Sequence, residues 1–199
     1  MKTTNPNLTN IGQKWPEILI PFSFDYKIKL TASEISKKSD LPLRTISRVL
    51  IKLVKINLLK YDFEGKNKKY FFNLENPQSK LVLQIVESLK FSFDKKDIFV
   101  LLIEIISQRE TVLFGSHAKN ISTESSDIDL LVIGKNSEKI KDIVREQQKE
   151  INIHFSTIKE FEKLLNKKQA LAIEIMKNHI VFGGSQFIDF CWRYYYDKQ

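Results

Sequence analysis

"LFGSHAKNISTESSDIDLLVIG", residues 113–134, decides how the second half of this chain is read. Gly115-Ser116 stands near one end, Asp127-Ile128-Asp129 near the other, ten residues lie between, and apolar runs flank both. Glu110 to Phe114 predicts a short strand that stops where glycine and serine break the pattern. Residues 117–126 are polar and predict a loop or the first turn of a helix. Ile128 and Leu130 to Ile133 predict a second strand, with Asp127 and Asp129 at its start. Residues two apart on a strand face the same way, so both carboxylates project together. Paired carboxylates repel and fit poorly in an apolar core. A divalent cation relieves that repulsion, and hard oxygen ligands suit Mg²⁺ or Mn²⁺. Gly115 permits close backbone approach, and Ser116 offers a hydroxyl and an amide. Together they are placed to hold a triphosphate against the metal. Chemistry at the α-phosphorus would then rest on positioning and electrostatics, with little covalent work by the protein.

This pattern resembles the nucleotidyltransferase fold shared with DNA polymerase beta, and looks most like the small, minimal nucleotidyltransferases of prokaryotes. That family's signature is an apolar residue, Gly-Ser, a gap, then Asp-apolar-Asp, which reads here as Phe114-Gly115-Ser116 and Asp127-Ile128-Asp129. His117-Ala118-Lys119-Asn120 stands where the family often has Arg-Ala-Arg-Gly, and Asn120 tolerates left-handed angles. Ser126, before the first aspartate, also matches. The resemblance covers about residues 95–185. It implies a nucleoside triphosphate, ATP by expectation, held by Gly115, Ser116 and Lys119, with Asp127 and Asp129 as the catalytic, metal-binding pair.

The resemblance also implies a third carboxylate on a later strand. The candidate strand is EINIHFST, 150–157, after a helix over 137–149. Its one face carries Glu150, Asn152 and His154. Aligned by this strand and by the helix after it, the family's aspartate falls at Asn152, which offers a carbonyl oxygen but no charge. The implied metal set is therefore Asp127, Asp129 and Asn152, with Glu150 able to substitute from the strand's edge. His154 reads as a hydrogen-bonded structural residue before it reads as a ligand. Two outcomes stay open: transfer with a neutral third ligand, or nucleotide binding without turnover. Losing a general base alone slows a reaction roughly 10²–10⁴-fold.

The N-terminal part is different in charge. Residues 1–80 hold 15 Lys/Arg against 7 Asp/Glu, whereas residues 81–199 hold 17 of each, so the whole net charge of +8 sits in the first part. Such a split predicts two modules and a polyanion facing the first. TASEISKKS, 31–39, predicts a helix with Thr31 as N-cap and Glu34 completing a capping box. Asp40-Leu41-Pro42 predicts a turn. LRTISRVLIKLVK, 43–55, predicts a second helix with Ile46, Val49, Leu50 and Leu53 inward and Arg44, Arg48, Lys52 and Lys55 outward. LLKYDF and KYFFNL predict a hairpin whose turn holds Gly65 and Asn67. KWPEILIPFSF is expected to supply an earlier helix.

Helix, turn, helix and basic-tipped hairpin over residues 11–75 resemble the winged helix-turn-helix family. The resemblance implies duplex DNA as partner. Arg44, Thr45, Ser47 and Arg48 would sit where base edges are read in the major groove. Lys52, Lys55 and the wing lysines Lys66, Lys68 and Lys69 would meet phosphate, making binding steeply salt-dependent. A winged helix used only for protein contact is the alternative.

The remaining features bound the class. No apolar run is long enough to span a membrane. The start MKTTNPNLTNIGQ lacks a signal-peptide core, and the lone Cys191 excludes an internal disulfide framework, so a cytoplasmic protein is expected. Residues 81–93 and 94–108 predict amphipathic helices whose apolar faces are read as plain core. The C-terminal part predicts a helix, a strand from His179 to Phe182, a Gly183-Gly184 turn and a last helix, with Trp192 and Tyr194 to Tyr196 closing the core. The expected architecture is α+β: a winged helix-turn-helix at 1–77, linking helices at 78–109, and a nucleotidyltransferase fold at 110–199 with a small mixed sheet flanked by helices. The expected function is a DNA-binding regulator whose second domain binds Mg-NTP. The alternative is an active transferase moving NMP to a protein or nucleic-acid hydroxyl. A homodimer is expected on DNA, and the family also implies a toxin partner.

Overall fold

A computed structural model describes residues 13–94 and 96–196. The order is α1 (Trp15–Ser23), α2 (Ala32–Ser39), α3 (Leu43–Lys55), β1 (Leu59–Glu64), β2 (Asn67–Phe72), α4 (Pro77–Asp94) and α5 (Lys96–Gln108). It continues with β3 (Thr111–Phe114), α6 (Gly115–Ala118), β4 (Ile128–Ile133), α7 (Glu138–Arg145), β5 (Ile151–Ser156), α8 (Ile158–Asn166), α9 (Ala170–Lys177), β6 (Ile180–Phe182) and α10 (Gln186–Tyr196). Two compact units result, residues 13–86 with 194–196, and residues 87–193.

In the first unit the local signals in the sequence are realised. The Thr31 hydroxyl accepts from the Glu34 N–H at 3.2 Å, and Glu34 Oε2 accepts from the Thr31 N–H at 2.7 Å. This reciprocal cap satisfies orphan N–H groups at the start of α2. Asp40 takes a left-handed conformation (φ 52°) and ends α2. Helix α3 buries Ile46, Val49, Leu50 and Leu53, the four apolar positions its spacing predicts. The β1–β2 hairpin pairs Leu59 with Phe72 through Glu64 with Asn67. Asn67, expected in the turn, is thus the first residue of β2, and the turn is Gly65-Lys66 with Gly65 at φ +61°. Leu30 adds a third rung by exchanging backbone hydrogen bonds with Tyr70 at 2.9 and 2.8 Å. Ile18, Phe22, Ile35, Leu50 and Phe72 fill the core between helices and hairpin.

The second unit is built on a four-stranded mixed sheet in the order β5-β4-β3-β6. Strand β3 runs antiparallel to both its neighbours, whereas β4 and β5 are parallel and joined through α7. All four residues of β3 are buried, which explains an unbroken apolar run where alternation would mark a half-exposed strand. Phe161, Phe187 and Phe190 form an aromatic cluster with centroid separations of 5.4 to 6.3 Å under the sheet's helices. The Glu110 carboxylate accepts from the N–H groups of Gln186 (2.8 Å) and Phe187 (2.7 Å), capping α10. Burial pushes the Glu110 carboxyl above its ordinary value, and these two donors oppose the rise. Gly184 is required beside it, since a Cβ there would lie 2.4 Å from Glu110 Oε2. Deeper in the unit, Lys90 donates to the His179 carbonyl at 2.7 Å and pairs with Glu87 at 2.7 Å. Burial lowers the Lys90 ammonium below its usual range, against the pull of Glu87.

The α2 cap gives a pH-dependent prediction. The Thr31 backbone N–H, then its hydroxyl, hold the Glu34 carboxyl below its ordinary value. Its charge-dependent stabilisation is therefore complete above the unfolded value and is lost as pH falls through the lowered folded value. Urea unfolding of wild type and Glu34→Gln should converge over that acidic window. Thr31→Ala should cost about 1 kcal/mol at neutral pH.

Candidate functional site

The antiparallel register of β3 and β4 places Phe114 opposite Asp129. The residue after Phe114 is therefore brought against the Asp129 side chain. That residue is Gly115, at φ +69°, and a Cβ added there would lie 2.2 Å from Asp129 Oδ2. Glycine is needed twice over, for its backbone angle and for the space the carboxylate fills. Short helix α6 then carries Ser116 and His117 away from the strand. Asn120 is left-handed (φ 58°), as its place in the motif requires. The Ser126 hydroxyl accepts from the Thr123 N–H at 2.9 Å, and a His117 ring nitrogen lies 3.2 Å from the Ser126 carbonyl. These contacts organise the loop that delivers Asp127 to the start of β4.

Strand β5 supplies the third position. Its parallel register sets Asn152 beside Asp129, and Asn152 Nδ2 donates to Asp129 Oδ1 at 3.3 Å. The structure thus brings Gly115, Asp129 and Asn152 together, with Asp127 in the loop one residue ahead of β4. Glu150 is exposed, one residue ahead of β5, and its carbonyl accepts from the Ile128 N–H at 3.0 Å. His154 packs its ring on Phe114 with centroids 5.8 Å apart, a structural role. Among the described residues no three His, Cys, Asp or Glu side chains converge as a metal-holding group. The donors at the corner are the Asp129 carboxylate and the Asn152 amide, with the Asp127 carboxylate one residue ahead of β4, all hard. They fit Mg²⁺ or Mn²⁺ with less negative charge than three carboxylates would supply. The amide must turn its oxygen toward the ion, because its nitrogen now faces Asp129. Lys119 pairs with Glu174 at 2.5 Å, so a phosphate would have to draw it from that partner. Both side chains are more than a third exposed, and such a pair is weak.

The basic residues of the first unit divide into two groups. Arg44, Ser47 and Arg48 are exposed over the first turns of α3, while Thr45 and Lys52 are half-buried. Ile51, on the same outer face, is 67% exposed, an apolar residue that a tally of charge passes over. On the hairpin, Lys66 sits at the turn and Lys68 lies over the Tyr61 ring at 4.4 Å. Lys69 lies 3.2 Å from Glu64 and 3.8 Å from Glu34, and the Glu64 hydrogen bond leads in raising its pKa. Lys29 pairs with Asp62, and Lys60 with Glu75. The hairpin's positive charge is partly spent within the unit, which composition alone does not reveal.

The steric fit at the corner is directly testable. Gly115→Ala should destabilise the protein by about 2–4 kcal/mol, from the left-handed angle and the overlap with Asp129 together. Adding Asp129→Ala should restore the steric share, so the double-mutant cycle in urea should show strong coupling.

A model of the nucleotidyltransferase domain matches residues 82–182. No curated protein and no solved structure matches the chain. The family match takes in all four strands of the mixed sheet, the glycine-serine corner, both aspartates and Asn152. Because it spans more than half of the 199 residues, the chain belongs to the nucleotidyltransferase domain family.

Proposed function

We propose that residues 87–193 bind a nucleoside triphosphate, ATP by preference, with Mg²⁺ or Mn²⁺, and transfer its nucleotidyl group poorly. The pairing of Asn152 with Asp129 carries this reading. Asp127 and Asp129 would hold the ion, with the Asn152 amide oxygen as neutral third ligand. An ion held by these residues would supply Lewis-acid neutralisation of phosphate charge. Gly115 leaves room for the Asp129 carboxylate, Ser116 offers the phosphates its hydroxyl, and Lys119 reaches them on leaving Glu174. An amide cannot accept a proton from an attacking hydroxyl as a carboxylate does, so Asn152 supplies no base at its position.

The active-transferase reading keeps one observation in its favour. Asp129 lies against Gly115, and Asp127 stands one residue ahead of β4. Metal-dependent incorporation of labelled ATP separates the two readings. The expected result is Mg²⁺-dependent ATP binding that Asp127→Ala abolishes, with little label transferred. Asn152→Asp should then raise transfer, by up to roughly 10²–10⁴-fold if that carboxylate serves as base. Robust wild-type transfer that depends on Asp127 would replace the binding reading with the enzymatic one.

For residues 13–86 we propose a winged helix that binds duplex DNA, making the protein a nucleotide-responsive regulator. The support is the run of α2, α3 and hairpin, with Arg44 and Arg48 exposed on α3 and paired with no carboxylate among the described residues. Arg44→Ala with Arg48→Ala should weaken duplex binding by at least about tenfold in a mobility-shift titration. Lys66→Ala should lower the salt slope by about one. Lys69→Ala should change it little, because Glu64 already holds that ammonium. Unchanged affinity in the double arginine variant would remove the groove assignment.

A further inference from the structure

The far end of the β4–β5 pair holds a second site. A cleft of about 510 Å³ opens where β4 gives way to Gly134 and β5 ends at Ser156. Asp129 and Gly134 are five residues apart along the chain, roughly 16 Å at strand rise, so the cleft is separate from the acidic corner. Its volume falls in the range of small-molecule pockets.

One wall is helix α8, which presents Glu160, Lys163 and Leu164 to the cleft, with Lys167 as its C-cap residue. Spacings of three and four from Glu160 place Lys163 and Leu164 on its face of the helix. The other wall is the loop after β4, with Lys135, and Phe155 also lines the space. This loop is pinned: the Gly134 N–H donates to the Ser156 carbonyl at 2.9 Å, and Arg109 Nη1 donates to the Lys135 carbonyl at 2.7 Å. Gly134 sits at φ +135°, where a side chain is strained, and a Cβ there would displace the Arg109 guanidinium.

The charge balance favours an anion. Glu160, the one carboxylate lining the cleft, is engaged by the Thr157 N–H and hydroxyl, both at 2.8 Å. Lys135, Lys163 and Lys167 form no ion pair at contact distance among the described residues, although after the Thr157 hydrogen bonds the charges of Lys163 and Lys135 also help to hold the Glu160 carboxyl below its ordinary value. Three ammonium groups around a half-exposed aromatic ring suit a ligand with phosphate at one end and a planar ring at the other. The geometry points to a second, metal-independent site in this cleft for a nucleoside phosphate. Lys135, Lys163 and Lys167 hold the phosphate, and Phe155 with Leu164 packs the ring.

The site can be isolated by removing divalent metal. Without an ion, the aspartate pair repels phosphate, so binding in EDTA reports the cleft. Adenosine monophosphate titrated into the full chain in EDTA should bind saturably at about 0.1–1 mM by calorimetry. Lys163→Gln with Lys167→Gln, exposed in the last turn and at the C-cap of α8, should weaken it at least about tenfold with little change in melting temperature. Asp129→Ala should leave it unchanged, which keeps this site distinct from the metal corner. Phe155→Ala should weaken adenosine monophosphate more than pyrophosphate. Absence of binding in EDTA, indifference to the double lysine variant, or loss in Asp129→Ala would each overturn the site. A single-stranded oligonucleotide held by the same lysines about a hundredfold more tightly would overturn the small-molecule assignment.

Discussion

The contact between the Asp129 carboxylate and Gly115 fixes the corner on which the second unit is organised. The antiparallel register of β3 and β4 brings one chain segment directly against the other at this point. A side chain at residue 115 would occupy the volume of Asp129 Oδ2. The strand pair can therefore keep its register only with glycine on one side, or the acid must leave. Burial of the whole of β3 removes the slack that a surface strand would use to adjust. A one-residue slip would also turn its apolar residues to the wrong face. Packing and chemistry are thus set by the same register: the pairing that buries Val112 and Leu113 also delivers an acid to the strand's edge.

Much of this was legible in the sequence because it is written locally. The capping box at Thr31, the bounds of α3 and its four buried residues follow from spacing over a few positions. The corner is local too, since strand, Gly-Ser and Asp-Ile-Asp lie within 22 residues. Asn152 is the instructive exception. It lies 23 residues from Asp129, and the parallel register of β4 and β5 sets the two side by side. What stayed hidden was pairing between distant side chains. Nothing near Lys119 announces Glu174, 55 positions on, and nothing near Glu110 announces that it caps a helix 76 residues later. Lys69 counts as a free positive charge until the hairpin register sets it near Glu64. Asn67 was misplaced by a smaller error: asparagine favours turns, but the pairing of Glu64 with Asn67 leaves only two residues for this one.

The buried polar groups show a further limit of composition. Glu87, Lys90 and His179 are all nearly inaccessible, in helices or segments that read as apolar core. Each ion relies on the other, since removing one partner strands a charge in a medium that solvates it poorly. The sequence places Glu87 and Lys90 on one helical side, three apart, but only the fold brings the His179 carbonyl to the ammonium. Their effect is to tie the start of the second unit to the residue just ahead of β6.

Substituting an amide for a third acid changes what the corner can do without an ion. Three carboxylates at this spacing would repel strongly enough that the apo state would protonate one of them or hold a cation. With Asn152, the amide donates to Asp129 and relieves part of that repulsion itself. On the proposed reading, filling the corner exchanges that hydrogen bond, and the Lys119–Glu174 pair, for contacts to ion and phosphates. Both exchanges replace weak, partly exposed contacts with contacts to more concentrated charge. Occupancy therefore follows nucleotide and metal concentration, the behaviour a sensor needs. A catalyst gains more from a permanently charged site that stabilises the transition state.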